Sequence, residues 1–586
     1  MRSAPFRRIL PITAAALTAA FLLPSAQAGA AGPPTRLPVP PSPPVRARIT
    51  GATIPGTSTT AAAAAPAGAS GLPSKQDQIK VLNAVLAKMR KNFAKFAGVT
   101  PGPADIFGYN IGALWRQGID GAGTTIAVMA GWHFLDIASQ VAGFDKVFGL
   151  PDPQIQTIYP AGPLPAKCPR GMLRLQSYGS CNAWKNELTL DVTAAHLVAP
   201  YAKIIISATP ADTEIAGPAE ENVAMPEIMK GVEFISSHHL ANVMSISDGT
   251  GETTYSAGPA GITAQDAAEL TAAAHGVPVL VATGDCGVVQ NLAVATAQCQ
   301  HTSAIPDTAA WDDSPWVTAV GGSVPNLSPK TGQRLGPDPV WHVGGAFAEG
   351  AGFSSVFPRP SYQNGVAGIT RSPMRSVPDI TLDSQHGTSE SAPLMAGILA
   401  LATQVNKANV GPINPALYRV LGPRGAQAGI ADVVRGNNSV TTPDGKTVIV
   451  PGFTAGRGFD VASGWGALNA ARFVPALAAA TAASHQAQAI RAQAQAALTG
   501  LRHGIRLSAG HIPAGGTCYL LAPNFLPGHP VDFAIDGHTV ATLTANALGD
   551  VTYMIDPSLL HLAGGRHTIT LSGMLLTETT AITTSR

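Results

Sequence analysis

The chain has 586 residues, with 37 Lys plus Arg against 35 Asp plus Glu, only 12% charged residues, 62 glycines and 49 prolines. A net charge of +2 with no long basic run excludes a nucleic-acid binder by composition, and the length calls for more than one domain. Met1–Arg8 carries three arginines, an apolar run follows from Ile9 to Leu23, and Ala26-Gln27-Ala28 has the small-x-small pattern of a cleavage site. Residues 1–28 therefore read as a secretory signal peptide, with a secreted, extracellular product. The run is short for a bilayer span and contains Pro11, so no membrane span is expected in the mature chain. Residues 29–74, rich in Pro, Ala, Ser, Thr and Gly, read as disordered. Residues 75–99 form an amphipathic helical segment, with Ile79, Val81, Leu82, Val85, Leu86 and Met89 at helical spacing; it either packs on the main domain or is removed.

From 100 to 480 apolar strand-like segments alternate with helix-like ones. Thr124–Met129, Ala202–Ser207, Val243–Ile246 and Val277–Ala282 read as buried strands, and Asn186–Val198 and Thr263–Ala274 as helices. This alternation predicts an α/β fold with a parallel sheet covered by helices on both faces and chemistry at the carboxyl ends of the strands. An Ala/Gln-rich helical linker is expected over 481–504. Short alternating segments between turn signals over 505–586 predict a small antiparallel β-sandwich, an accessory module. The five cysteines suit an oxidising compartment. Sequence proximity pairs Cys168 with Cys181 and Cys286 with Cys299, leaving Cys518 as a buried thiol or an intermolecular link.

Three segments carry candidate chemistry. Glu187 and Asp191 stand i, i+4 on an otherwise apolar helix, so they share a face and a proton, and one of them can accept a proton from a nucleophile. The same spacing suits a solvated pair near a helix start. In His386-Gly387-Thr388-Ser389, a glycine turn before an apolar helix presents a serine at a helix N-terminus, as a nucleophile or as a plain N-cap. His386 reads as cleft lining. Asp285 follows an apolar strand and Gly284; held protonated it can donate to an oxyanion, and otherwise it is a turn residue.

The stretch Gly387-Thr388-Ser389-x-x-x-Pro393 resembles the subtilisin-like peptidases, which need an Asp after the first strand and a His in a following helix. Ala127–Trp132 offers no acid, and Glu187 stands where the His is expected. The combination of Glu187-x-x-x-Asp191, Thr283-Gly284-Asp285 and Gly387–Pro393, with Ala199-Pro200-Tyr201-Ala202, Tyr109 and Gly121–Met129, resembles the sedolisin, or serine-carboxyl peptidase, family over roughly residues 100–475. That resemblance implies a subtilisin-like fold and a serine-type endopeptidase acting on protein or peptide substrates. Ser389 is the implied nucleophile, Glu187 the base, Asp191 its partner and Asp285 the oxyanion donor, with activity in acid and a monomeric enzyme. It also implies one structural Ca²⁺, bound by Asp432, the Val433 carbonyl, Gly456, Gly458 and Asp460; two carboxylates and backbone carbonyls suit a hard cation. Two unrelated turns would read alike.

The chain departs from the family in lacking room for a long folded pro-segment and in carrying Ser245-Ile246-Ser247-Asp248 in place of a Ser-Trp-Gly-like substrate strand. Two other readings stay open. One is a catalytically inactive relative acting as an exported binding protein. The other is a carbohydrate- or wall-binding protein working through the C-terminal module, whose aromatics are Tyr519, Phe525, Phe533 and Tyr553.

Overall fold

A computed structural model describes residues 72–132, 134, 136–162, 164, 181–209, 218–253, 255, 258–290, 299, 302, 305–369, 372–442, 448–482, 505–507, 509–522, 525, 530–545, 551–573 and 577–585. The signal peptide, residues 29–71, Cys168, the side chain of Cys181 and residues 483–504 of the linker lie outside the described residues.

Helix α1, Lys75–Lys91, begins where the Ser74 hydroxyl accepts from the Asp77 amide. It buries Leu82, Val85, Leu86 and Met89, while Val81 faces solvent. That stripe joins the core around Leu114 and Trp115. The segment thus packs on the main domain.

The parallel sheet expected from the apolar runs is present. Its strands are β1 (Thr125–Ala130), β2 (Gln154–Ile158), β3 (Lys203–Ala208), β4 (Val243–Ile246), β5 (Val279–Ala282), β6 (Thr318–Ser323) and β7 (Ile380–Asp383). They pair in the order β7-β6-β5-β4-β1-β3-β2, and every pairing is parallel. The central strands read as continuous apolar runs because both faces are covered. On one face Ile126, Val243, Leu280, Val320 and Leu382 share a core with helices α3 (Cys181–Val198) and α6 (Thr388–Asn406). On the other, Ala127, Met129, Met244 and Val279 meet α2 (Ile137–Phe148), α4 (Pro218–Ser237) and α5 (Gly258–His275). Helix α7, Ala470–Ala482, closes the first core through Phe473, Val474 and Leu477.

Helix α3 starts five residues ahead of the Asn186 expected from the pattern. Glu187 and Asp191 therefore lie within the helix and gain nothing from its N-terminal dipole.

At the C-terminal end, a three-stranded and a five-stranded sheet enclose one core, with Phe533 and Tyr553 rings 4.7 Å apart across it. The pairings are antiparallel as expected, with one correction: His511–Ile512 runs parallel to Thr583–Thr584. Cys286 and Cys299 form the expected disulfide, and Cys518 is a buried thiol with Sγ 3.3 Å from the Ala509 carbonyl.

Candidate active site

The site is built at the N-terminal end of α6. Gly387 caps that helix at φ +86°, a left-handed conformation that a side chain would strain. A Cβ there would also overlap Asp285 Oδ2, so the turn needs glycine twice over. Ser389 is the second residue of the helix and almost buried, at 9% exposure. Pro393 lies four residues on and has no N–H to give the Ser389 carbonyl. That carbonyl accepts instead from the Ser247 hydroxyl, 3.3 Å away, just past the end of β4. The proline thus frees the backbone of the serine to be tied to the neighbouring strand.

Helix α3 reaches the same point because it crosses α6 closely. A Cβ on Gly397 would collide with Val198 and crowd the Ala195 carbonyl, so the two helices touch where α6 has no side chain. From that crossing both helices run back to Glu187 and Ser389. Their side chains hydrogen-bond. Burial pushes Glu187 up to about 8; the Ser389 hydrogen bond opposes the rise, and the charges of Asp285 and Asp248 add to it. Asp191, fully buried, is held well above the ordinary carboxylate range, first by burial and next by Glu187; a hydrogen bond with Ser247 opposes this. Glu187 Oε1 and Asp191 Oδ1 are buried without a hydrogen-bond partner. A pair in this setting holds at most one negative charge.

Asp285 follows β5 as expected, at the carboxyl end of the sheet. Its Oδ1 accepts from the Thr388 amide at 2.7 Å and the Thr388 hydroxyl at 3.0 Å, and that hydroxyl in turn accepts from the Gly284 amide at 2.9 Å. Asp285 is 7% exposed. The disulfide begins at the next residue and ties this loop down.

The structure therefore brings Ser389, Glu187, Asp191 and Asp285 to one place. Ser247, Asp248 and Thr388 belong with them and were not singled out by sequence. Ser247 and Asp248 stand in the segment that departs from the family pattern, and only the pairing of β4 with β1 and β5 reveals that they face the acids. His386 lies in the nucleophile turn with its Nδ1 2.7 Å from Thr100 Oγ1, in contact with the N-terminal segment of the domain.

Of the expected calcium ligands, Asp432, Gly456, Gly458 and Asp460 lie beside one another. Gly456 N–H donates to Asp460 at 2.7 Å, and Gly458 N–H to Asp432 at 3.0 Å. Asp432 Oδ1 is buried without a hydrogen-bond partner. Burial foremost, and the charge of Asp432 in addition, push Asp460 up to about 6. Two carboxylates held close, one with an unmet buried oxygen, among carbonyl-bearing turns fit a hard divalent cation.

The model of the subtilase family matches residues 189–421, a stretch that contains Asp191, Asp285 and Ser389. Kumamolisin of Bacillus sp. (strain MN-32) is 28% identical over 384 residues, 62% of this chain and 61% of that protein. The chain is thus similar to peptidases of the sedolisin family. Human tripeptidyl-peptidase 1 is 29% identical over 231 residues, 34% of this chain and 37% of that protein. The chain thus matches about three fifths of the kumamolisin and under two fifths of the tripeptidyl-peptidase. A solved Pseudomonas sedolisin, described as a serine-carboxyl proteinase, aligns with 61% of this chain and 92% of its own at 23% identity and a TM-score of 0.48. The seven-stranded parallel sheet with helices on both faces agrees with the fold class expected from the sequence.

Proposed function

We propose that this chain is a secreted serine-type endopeptidase of the serine-carboxyl kind, with Ser389 as nucleophile. The observation that carries the reading is that the Ser389 hydroxyl is hydrogen-bonded to a glutamate, Glu187, and not to an imidazole. Glu187 takes the hydroxyl proton as Oγ attacks the peptide carbonyl, and later returns it to the leaving amine. Asp191 keeps its own proton and donates to Glu187, which places the pair's single charge on the base. With Asp285 Oδ1 engaged by Thr388, a proton on Oδ2 serves the oxyanion of the tetrahedral intermediate, together with the Ser389 amide. Water then resolves the acyl-enzyme.

The protonation states support one another. The charge of Asp285 is one cause of the rise in Glu187. A proton on Asp285 removes that cause, so Glu187 ionises more readily when the oxyanion donor is armed. The active form has protons on Asp191 and Asp285 and a charge on Glu187, so its pH profile is bell-shaped, rising as Glu187 ionises and falling as Asp285 loses its proton; activity in acid is what the resemblance to the serine-carboxyl peptidases implies. Asp432 and Asp460, with the Val433, Gly456 and Gly458 carbonyls, would hold one Ca²⁺, which would serve as a structural ion. The N-terminal charge and cleavage pattern support export. The enzyme acts on protein or peptide substrates as a monomer.

The test is hydrolysis of a denatured protein between pH 3 and 8 by the wild type and by Ser389→Ala. Acid activity that disappears in the variant supports the reading. A folded, calcium-supplied wild type that cleaves nothing at any pH would instead be a binding protein built on this fold.

A further inference from the structure

A second group of acids meets the nucleophile turn, and the proposed reaction does not use it. Asp105 comes from the short helix Pro103–Gly108, Asp383 ends β7, and Glu390 follows Ser389. All three are fully buried, and one carboxylate oxygen from each lies within 4.8 Å of the others. Asp105 and Asp383 hydrogen-bond to each other, which needs a proton between them. Asp105 Oδ2 accepts from the Gly102 amide at 2.8 Å, and Asp383 from Gln385 at 3.2 and 3.3 Å. Glu390 Oε2 accepts from the His386 amide at 3.2 Å, four residues back across the nucleophile turn. Glu390 Oε1 and the Tyr109 hydroxyl are buried with no hydrogen-bond partner.

The charge around this group is one-sided. Among the described residues the His386 imidazole pairs with the group, with Nδ1 3.6 Å from Glu390 Oε2 and the side chain about half exposed. Tyr109 feels Asp383, Asp338 and Asp105 on one side and Arg334 on the other. Three carboxylates cannot stay ionised together in a site this dry, so protons remain on them well above the ordinary carboxylate range. Burial first, then Glu390, pushes Asp105 up to about 8. Burial and then Asp383 push Glu390 up to about 7. Burial and then Asp105 raise Asp383.

We infer that Asp105, Asp383 and Glu390 form a proton-sharing carboxyl cluster that positions the nucleophile turn, with Glu390 as the positioning residue, an inference that rests on reading Ser389 as the nucleophile. Shared protons let three segments close on one another: the start of the domain, the end of β7 and the first turn of α6. The Glu390 carboxyl holds the His386 amide, and His386 reaches Thr100, so the turn carrying Ser389 is clamped from both of its ends. When pH rises and the protons leave, like charges push the segments apart and the turn loses its anchor.

The experiment has a structural arm and a kinetic arm. Thermal unfolding is followed from pH 4 to 8 in the Ser389→Ala background, alone and combined with Glu390→Gln or Asp105→Asn. This arm reads the cluster whether or not the chain is a peptidase. The expected result is that the parent melts several degrees lower at pH 8 than at pH 4, and that each amide variant flattens that decline. The kinetic arm uses Glu390→Ala and Glu390→Gln at pH 4 with Ser389 intact. Glu390→Ala should lower kcat by about tenfold with little change in KM, from misplacement of the nucleophile, and Glu390→Gln should restore it. Parallel melting profiles in parent and amide variants would overturn the inference. So would a rise in melting temperature with millimolar Ca²⁺ or Mn²⁺ that Glu390→Gln abolishes, because a cation would then hold the cluster. A kcat at pH 4 that Glu390→Ala leaves intact would remove the positioning role.

Discussion

At the scale of single residues, the site depends on what each side chain can donate or accept. Glu187→Gln keeps the shape but cannot take the Ser389 proton. We expect kcat to fall by about 10²–10⁴-fold with an unchanged circular dichroism spectrum. Gly387→Ala meets two penalties, the left-handed φ and the overlap with Asp285 Oδ2. It should cost about 1–3 kcal/mol of stability, read from denaturant unfolding, and abolish activity through the displaced oxyanion donor. Much of the candidate site was legible in the sequence, because Glu187 and Asp191 stand one turn apart on an apolar helix while Asp285 follows a strand and Ser389 a glycine turn. Asp105, Asp383 and Glu390 were not. Asp105 is 278 positions from Asp383 in the numbering of the chain, and no local pattern announces a contact that only tertiary packing makes.

At the scale of elements, the decisive feature is the close crossing of α3 and α6. Gly397 allows it, since a side chain there would strike Val198. Gly397→Val should cost about 1–3 kcal/mol from overpacking and lower kcat with little effect on KM, because the base and the nucleophile are carried on different helices. Steady-state kinetics beside thermal unfolding would check both effects. The apolar strands were readable because a parallel sheet covered on both faces leaves uninterrupted Val/Ile/Ala runs. The start of α3 was not readable, since Cys181–Lys185 has no apolar period of its own. The parallel pairing of His511–Ile512 with Thr583–Thr584 escaped for a related reason: two-residue strands are too short to show any period.

For the whole molecule, the raised carboxyls set the pH dependence of stability. Glu187 and Asp105 lie near 8 and Glu390 near 7 in the folded chain, against ordinary values close to 4. The folded state therefore binds more protons than the unfolded one across that interval, and its stability, full below about pH 4, is lost as pH climbs through 8. Calorimetry should find the melting temperature highest in acid, and a maximum at pH 8 would contradict this. The proposed calcium ion would act separately. At a hundred times its Kd a structural ion would stabilise by about 2.7 kcal/mol, a gain that Asp460→Asn should remove in a titration followed by melting temperature.

Helix α1 bears on how this chain can be cut and joined. Its buried stripe, Leu82, Val85, Leu86 and Met89, packs against Leu114 and Trp115. Arg90 spans outward to the Thr331 carbonyl at 2.8 Å and stacks over the Phe107 ring at 3.7 Å. The motif boundary near Thr100 is thus not a seam. A chimera or truncation spliced there would leave a greasy scar around Trp115 and a catalytic unit prone to clump, whereas a junction ahead of Ser74 would carry the helix along and keep that scar covered.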